Sequence, residues 1–458
     1  MHMNRRKFIL GSAVLLASPA LAWELPRPDT TMPNLTPAQI QEDLLFLRAQ
    51  WAPLEKSFNP SQRVTFNKFI DNAVTRAATA SPADLVLDVM QAVAIPRNGH
   101  TAPMVGHLLD SLPIKLWWFS DGLYILSVAP GYESILGSRI EKFGQLTTIE
   151  SLERVAPYIS GTDQRIRYLS ASYLTSKMVL DRIGVLSSQS SIPLTLRLRN
   201  GETKTVSLSV SKPDYYDARE PILFGWSSLI PDEKGKENRW AHVLDEAEKR
   251  SPGYGKPEPL SVQWIGDGEK ILYIRSNFIH SMGKDSLADA LLFGVIQKQV
   301  VPKKPRFIVV DLRLNNGGNF FETMLFSQTL PKLLPHDGQI FVLVSRATFS
   351  AALVTVATLK RANPAKVILI GETMGDNGHF WAEPETITLP NSRIQVFYST
   401  KFEDFEQGCA GNIDCYWPAA VFAQSTISLA PEVKIAVPFI DYAMGHDPVL
   451  DAVIDRTK

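Results

Sequence analysis

The chain has 458 residues, of which 45% are hydrophobic and 21% are charged. These proportions are typical of globular proteins and exclude a disordered chain or one built mainly of membrane spans. Lysine and arginine total 47, as do aspartate and glutamate, so the formal net charge is zero and the basic footprint of a nucleic-acid-binding protein is absent. A chain of this length is expected to form two or three domains.

The first 22 residues have the pattern of an export signal. Arg5 and Arg6 precede an apolar run from Ile9 to Leu16, and the small residues of Ala20 to Ala22 follow. The paired arginines suggest the twin-arginine route, although the general secretory route also accepts such a sequence. Because the apolar run is short for a bilayer span, we predict a periplasmic or secreted protein without a stable membrane anchor.

The chain contains two cysteines, Cys409 and Cys415, separated by a short glycine-containing segment. In an exported protein this spacing predicts a local disulfide, with two unpaired loop thiols as the alternative. A metal site is not indicated, because there is no second cysteine pair and no histidine at ligand spacing. The sequence also lacks nucleotide-binding and zinc-protease motifs, so we expect no cofactor.

The N-terminal part of the expected mature chain has helical periodicity. Between Pro37 and Val93 apolar residues recur three or four positions apart, as at Leu44, Leu47 and Trp51. Turn-forming residues at 96–99 end this pattern.

A region of short strands follows. We predict strands at Lys115 to Phe119, Leu123 to Val128, Leu194 to Leu198 and Val206 to Val210. One helical stretch is predicted near Ile149 to Ile159. Such strands around a helix indicate a small β-domain.

The C-terminal part alternates strands with helices. The predicted strands are Ile271 to Ile274, Phe307 to Val310, Ile340 to Val344 and Val367 to Ile370. This alternation predicts a buried, largely parallel βαβ sheet, with the chemistry at the carboxyl ends of the strands.

The second of these strands runs into residues 311–318, Asp-Leu-Arg-Leu-Asn-Asn-Gly-Gly. Gly317 and Gly318 allow a sharp turn and leave backbone amides unshielded, so that they can bind an oxyanion. In isolation a plain turn is the commoner explanation. We expect Asp311 and Arg313 to pair with each other and support the turn.

The third strand leads to residues 345–352, Ser-Arg-Ala-Thr-Phe-Ser-Ala-Ala, and then to a helix-forming run from Leu353 to Lys360. Ser350 would lie where the strand turns into the helix. There the helix N-terminus and the Ala351 amide favour developing negative charge. The alternative is that Thr348 or Ser350 caps the helix.

Together these segments resemble the catalytic signature of the C-terminal processing, or tail-specific, serine peptidases and their tricorn relatives. Residues 311–318 match its first motif, residues 348–352 its second, and Gly371 to Gly375 (Gly-Glu-Thr-Met-Gly) its third. Residues 389–392 and 445–450 match the later core. The resemblance covers most of the mature chain.

The resemblance implies an α/β fold with a crotonase/ClpP-like βαβ catalytic core, an N-terminal helical region and a PDZ-like β-domain. We place the signal peptide at residues 1–22, the helical region at 23–110 and the PDZ-like domain at 111–213. A linker or insertion then occupies 214–260, and the catalytic core occupies 261–458.

The resemblance also implies the roles of the site residues. Ser350 is the nucleophile, and the amides of Ala351 and of Gly317 or Gly318 form the oxyanion hole. One branch of the family takes its base from a lysine after the third motif, but residues 376–379 read Asp-Asn-Gly-His here. A serine–lysine pair is therefore not expected at that position.

Two histidines are candidates for the base, because the pKa of histidine suits proton transfer near neutral pH. His100 is favoured, since its Gly-His-Thr turn resembles the one from which tricorn-type members take their histidine. His379 lies near the position of the missing lysine. Glu372, Asp376 or Glu383 would orient the base, and hydrogen-bonded turn histidines are the alternative.

The predicted function is an exported serine peptidase that acts on a peptide or protein substrate. One alternative is a catalytically inactive, PDZ-like peptide-binding protein from the same family. Another is a crotonase-like enzyme acting on acyl thioesters, which predicted export disfavours because coenzyme A is cytoplasmic. The sequence leaves the oligomeric state open.

Overall fold

A computed structural model describes residues 31, 34–185, 191–210, 229–231, 239–256, 258–268, 270–281, 286–422 and 428–458. The predicted signal peptide lies outside the described residues, as does much of the predicted linker. Within the described ranges, none of the helices combines the length and apolar character needed to cross a bilayer.

The N-terminal region is helical, as predicted. Helix α1 (Pro37–Phe46) continues through a π-helical turn (Leu47–Trp51) and a final turn (Ala52–Leu54), and is followed by α2 (Pro60–Arg76) and α3 (Pro82–Ala94). Each of the three begins with a capping box and a proline in the first turn. These residues satisfy free backbone N–H groups and fix where each helix starts.

The next region is an antiparallel sheet of seven strands, in which the central order is β1-β2-β3-β5-β6, β4 pairs with β3 and β7 pairs with β2. The strands are β1 (Ile114–Phe119), β2 (Gly122–Val128), β3 (Arg139–Phe143), β4 (Leu146–Thr147), β5 (Ser191–Arg197), β6 (Thr203–Ser209) and β7 (Ala241–His242). The four predicted strands are confirmed.

Three helices lie between β4 and β5: α4 (Thr148–Val155), α5 (Asp163–Tyr173) and α6 (Lys177–Arg182). The sequence predicted only the first, so the prediction of a single helical stretch was wrong. The buried face of α5 includes polar side chains, Arg165 and Ser170 among them, and these hide the apolar periodicity.

The C-terminal part contains a six-stranded sheet in the order β15-β12-β11-β10-β9-β8, parallel except for the outer β8. Its strands are β8 (Leu260–Ile265), β9 (Ile271–Ser276), β10 (Phe307–Asp311), β11 (Gln339–Val344), β12 (Val367–Gly371) and β15 (Val433–Lys434). The predicted parallel βαβ sheet is therefore confirmed.

Helices cover both faces of this sheet. They are α7 (Leu287–Asp289, continuing as Ala290–Val300 and Val301–Lys303), α8 (Phe321–Thr329), α9 (Ala351–Ala362), α10 (Trp417–Phe422), α11 (Phe439–Ala443) and α12 (Pro448–Arg456). Along β10, Ile308 and Val310 join the core under α9, whereas Phe307 and Val309 join the core under α12. With both faces covered, the carboxyl ends of the strands are left to carry the site.

A long antiparallel hairpin, β13 (His379–Thr388) and β14 (Gln395–Asp404), follows β12 and was not predicted. Its far end reaches the N-terminal helices, where the Trp51 indole N–H donates to the Phe397 carbonyl oxygen at 2.9 Å. Val396 belongs to the same buried cluster as those helices and the seven-stranded sheet. The hairpin thus joins the third motif to the N-terminal region.

Candidate active site

Ser350 occupies a strained turn between β11 and α9. Its backbone has φ 53° and ψ −129°, and left-handed φ values cost a residue with a side chain about 1–2 kcal/mol. The Ser350 side chain makes no capping hydrogen bond, and Thr348 Oγ1 donates instead to the Leu312 carbonyl oxygen at 2.8 Å. The helix-capping alternative therefore does not account for either residue. A strained strand-to-helix turn is a known setting for a nucleophilic serine.

The two glycines of the first motif lie against this turn. Gly317 has φ 102°, and a Cβ there would lie 2.7 Å from Ser350 Cβ. Gly318 has φ 136°, and a Cβ there would lie 2.0 Å from the Ile279 carbonyl oxygen. Only glycine fits either position, because any side chain would push the two loops apart.

The amides beside Ser350 differ in their availability. The Gly317 N–H donates to Asn315 Oδ1 at 2.8 Å. Among the described residues, the N–H groups of Gly318 and Ala351 have no acceptor. Of the amides that the sequence singled out, these two are able to hold an oxyanion.

Backbone hydrogen bonds tie the three motifs into one unit. The Phe349 N–H donates to the Asn315 carbonyl oxygen at 3.1 Å, which connects the second motif to the first. The Gly375 N–H donates to the Thr348 carbonyl oxygen at 3.0 Å, which connects the third motif to the second. The turn that carries Ser350 is thus held from both sides.

Asp311 and Arg313 support the glycine turn, as predicted. Arg313 forms two-point pairs with Asp311, at 3.0 and 2.7 Å, and with Asp447, at 2.8 and 2.7 Å. Burial alone would raise the pKa of Asp311, but the Arg313 guanidinium outweighs it and holds that pKa below its usual range. The network is buried and structural.

His100 lies beside the Ser350 turn, with its side chain 7% exposed. Its ring stacks against Phe349, at 4.5 Å between centroids, and against Phe380, at 5.2 Å. The imidazole therefore contacts the residue that immediately precedes Ser350, and neither of its ring nitrogens hydrogen-bonds to Ser350 Oγ. His379, by contrast, is exposed at the start of β13.

Asp376 is the acid that the structure brings to His100, with Asp376 Oδ2 3.8 Å from His100 Nδ1. In the described part of the chain, three atoms of this pair lack a hydrogen-bond partner: both ring nitrogens of His100 and Asp376 Oδ2. Glu372 instead forms an ion pair with Arg346. Of the three acids that the sequence left open, only Asp376 has this position beside His100.

Burial shifts the pKa of both members of this pair. Burial, reinforced by the nearby Arg165 cation, lowers the pKa of His100 to about 3. Burial raises the pKa of Asp376 to about 7, against smaller opposing effects from the Asn377 N–H and Arg165. At neutral pH His100 is neutral and, with its pKa at about 3, a weak base, whereas Asp376 is close to its midpoint.

Glu403 on β14 is an acidic residue of this region that sequence reasoning missed. It is 2% exposed, and its Oε2 atom has no partner among the described residues. Burial, with the charges of Glu383 and Asp376 nearby, raises the pKa of Glu403 well above its usual range. No signal in the sequence singles it out, because acidic residues are mostly exposed.

Helix α5 brings a second set of residues that the sequence did not identify. Arg165 is 4% exposed, and its Nη1 donates to Asn316 Oδ1 at 2.6 Å. Its guanidinium carbon lies 3.9 Å from the centroid of the Phe349 ring. Asn316 Nδ2 in turn donates to the Tyr168 hydroxyl at 2.8 Å. The helix therefore contacts both the glycine turn and the Ser350 turn.

The predicted disulfide between Cys409 and Cys415 is present. The loop that it closes packs on the end of β14, where the Tyr416 N–H donates to the Phe402 carbonyl oxygen at 2.8 Å. This places the disulfide beside Glu403. Across the described residues, no group of three or more histidine, cysteine or acidic side chains is arranged to hold a metal ion.

The described part of the chain thus combines a serine at a strained turn, two backbone amides without an acceptor, and a buried contact between His100 and Asp376. Solved structures with a similar fold include mature CPAF complexed with lactacystin, at 14% identity and a TM-score of 0.57, covering 92% of this chain and 98% of that one. A CPAF mutant matches at 12% identity and a TM-score of 0.60, covering 91% and 96%.

The matching structures also include the photosystem II D1 C-terminal processing protease, at 14% identity and a TM-score of 0.36, covering 89% of this chain and 98% of that one. A C-terminal processing protease is therefore among the matching structures, in line with the resemblance that the sequence predicted. The similarity to the CPAF structures, with TM-scores of 0.57 and 0.60, establishes the α/β fold and nothing beyond it, because the identities are only 14% and 12%. No protein-family model matches the sequence, and the search of curated proteins finds no match.

Proposed function

We propose that this chain is a serine peptidase in which Ser350 is the nucleophile and His100 is the base. The observation that carries the proposal is the strained Ser350 turn, packed so closely on Gly317 that no side chain fits between them. Strain of this kind persists where the surrounding structure enforces it, and it is common at catalytic residues.

In the proposed reaction, His100 takes the proton of Ser350 Oγ as that oxygen bonds to the scissile carbonyl carbon. The carbonyl oxygen becomes negative, and the N–H groups of Gly318 and Ala351 stabilise it. His100 then gives its proton to the leaving amine, which leaves an acyl group on Ser350. Water repeats the sequence, losing its proton to His100, and releases the acid product.

The pKa of Asp376 supports the role of orienting acid, whereas the low pKa of His100 makes it a weak base until ionised Asp376 stabilises its protonated form. A base must be unprotonated at rest, and burial keeps His100 neutral. Once His100 becomes an imidazolium, ionised Asp376 at 3.8 Å stabilises it and fixes the ring orientation. The rate should therefore rise as Asp376 ionises, with a midpoint near its pKa of about 7.

Replacement of Ser350 by alanine tests the nucleophile. We expect Ser350→Ala to abolish hydrolysis of an unfolded protein substrate and of a peptide library, with unchanged near-ultraviolet circular dichroism. Ser134→Ala is the matched control, since Ser134 is exposed in the seven-stranded-sheet region and should retain activity. Hydrolysis by purified Ser350→Ala at the wild-type rate would remove Ser350 from the mechanism.

The same experiment separates the peptidase from the inactive peptide-binding alternative. A peptidase requires turnover by the wild-type protein that Ser350→Ala eliminates. If the wild-type protein and the variant bind peptides equally and neither turns them over, the binding protein is the better account.

We also propose that the protein is exported, on the basis of Arg5, Arg6 and the apolar run that follows them. The disulfide between Cys409 and Cys415 supports an oxidising compartment. N-terminal sequencing of the protein from the periplasmic or medium fraction should begin at Trp23. A full-length protein confined to the cytoplasm would contradict export.

A further inference from the structure

A basic cleft lies at the edge of the six-stranded sheet opposite the Ser350 turn. Its volume is about 650 Å³, and half of its lining residues are cations: Lys270, Lys303, Lys304, Arg306 and Lys458. No acidic residue is among those lining residues. Phe307 at the start of β10 also lines it, whereas Asp311 at the end of β10 begins the first catalytic motif. At about 3.3 Å per residue the two ends of this strand are roughly 13 Å apart.

In the part of the chain that the structure describes, two of the five cations pair with a carboxylate and three do not. Arg306 pairs with Asp337 at 2.8 Å, and Lys458 pairs with Asp455 at 2.7 Å. Within the described ranges, Lys270, Lys303 and Lys304 form no ion pair. Since the whole chain has a formal net charge of zero, the excess of positive charge is a local property of this cleft.

The wall of the cleft is held in place by an aromatic side chain. The Trp264 indole N–H donates to Gln299 Oε1 at 3.0 Å, which fixes the plane of the ring. Lys303 Nζ lies 4.7 Å from the centroid of that ring. A cation–π contact orders the ammonium group without a conventional hydrogen-bond acceptor. The N–H donors of Lys303 therefore stay available for a ligand.

Lys304 has a left-handed backbone conformation at the C-terminal end of α7. It ends α7 with φ 44° and ψ 56°, and its N–H donates to the Val300 carbonyl oxygen at 2.8 Å. Glycine or asparagine is the usual residue at such a position, because other side chains are strained there. Lys304 adopts this strained conformation, and it lines the cleft.

We propose that this cleft binds a compact polyanion with two or more phosphate groups, held by Lys270, Lys303 and Lys304. Lysine ammonium groups bind phosphate as point charges. A single exposed ion pair contributes little binding energy, whereas several lysines together can hold a polyanion. Free polyphosphate and a phosphorylated lipid headgroup share this chemistry. Because the cleft lies away from Ser350, its binding does not depend on the proposed peptidase activity.

Isothermal titration calorimetry with inorganic tripolyphosphate tests the site in the full chain. We expect saturable binding at about 50 mM salt that weakens several-fold at about 200 mM, since salt screens exposed charges. Co-sedimentation with phosphatidylcholine vesicles, with and without cardiolipin, then identifies the source. Binding only to tripolyphosphate indicates a free anion, and added binding to cardiolipin vesicles indicates a lipid headgroup.

Two variants and a control locate the binding. Lys303→Glu with Lys304→Glu should weaken the affinity at least tenfold. Lys68→Glu with Lys204→Glu makes the same change in net charge at exposed positions on other surfaces, and should leave the affinity within twofold. Equal affinities for the two double variants would overturn the proposal, as would a wild-type protein that binds neither tripolyphosphate nor vesicles.

Lys304→Gly separates binding from folding. This variant removes one cation and relieves the strained backbone, so we expect a higher melting temperature together with weaker tripolyphosphate binding. An unchanged affinity in this stabilised protein would show that Lys304 is not a ligand and would contradict the proposed site.

Discussion

Gly317→Ala tests whether close packing against the Ser350 turn positions the serine. Its effect can be distinguished from that of backbone strain alone. The new Cβ would lie 2.7 Å from Ser350 Cβ, 2.8 Å from the Phe349 carbonyl oxygen and 3.0 Å from the Ala351 nitrogen. Ordinary contact begins at 3.4 Å, so the serine must move by about 0.7 Å. A displacement near 1 Å at a catalytic group costs about 100-fold in rate.

The effect on stability has two contributions. The φ of 102° costs an alanine about 1–2 kcal/mol, and the overlap with the Ser350 turn adds about 1–3 kcal/mol. Gly201→Ala is the matched control, because Gly201 has φ 85° and nothing within 4 Å of its added Cβ. The control should show the strain without the overlap.

The assay is kcat/KM with a peptide substrate, together with urea unfolding of both variants. We expect Gly317→Ala to lose about 10- to 100-fold in kcat/KM and to unfold at lower urea than Gly201→Ala, which should keep wild-type activity. If Gly317→Ala is as active as Gly201→Ala, close packing on Ser350 does not position the nucleophile.

Three further outcomes are expected. Ser350→Gly should abolish peptidase activity yet raise the free energy of unfolding above that of Ser350→Ala by up to about 1 kcal/mol, because glycine relieves the positive φ; equal stabilities in urea would contradict the strain. Asp376→Asn should lower kcat/KM and remove the rise of the wild-type profile near pH 7; a rise that persists belongs to another group. Reduction of Cys409–Cys415 should lower stability by about 2 kcal/mol and diminish activity by loosening the end of β14; an unchanged rate with fully reduced thiols would separate the disulfide from the site.

The buried pair also makes stability depend on pH. The pKa of Asp376 is raised from 3.8 to about 7, so its contribution to stability is present below pH 3.8 and is lost as the pH rises through about 7. The pKa of His100 is lowered from 6.5 to about 3, so its contribution is present above pH 6.5 and is lost as the pH falls through about 3.

The parallel sheet and the Ser350 turn could be predicted because their signals are local. Phe307 to Val310 is a continuous apolar run, and a strand buried on both faces needs such a run. The serine and glycine turns each follow a strand directly, so their place at the carboxyl edge follows from the chain itself. The pairing of Cys409 with Cys415 was predictable for the same reason.

What the sequence could not supply depends on contacts between distant segments. The β13–β14 hairpin was missed because its strands carry exposed acids, and its position against Trp51 is decided by tertiary packing. The contact between His100 and Asp376 joins residues that are far apart in the sequence. The sequence did not predict the helix that carries Arg165, and the burial of Arg165 against Phe349 depends on tertiary packing.

The central claim is that Ser350 is a nucleophile activated by His100, and covalent labelling tests it without any knowledge of the natural substrate. The folded protein is treated with a fluorophosphonate, and the adduct is located by mass spectrometry of its peptides. We predict one adduct per chain, on Ser350, with its rate of formation strongly reduced in His100→Ala. Failure of Ser350 to react in the folded wild-type protein, or reaction at the same rate in His100→Ala, would contradict the account.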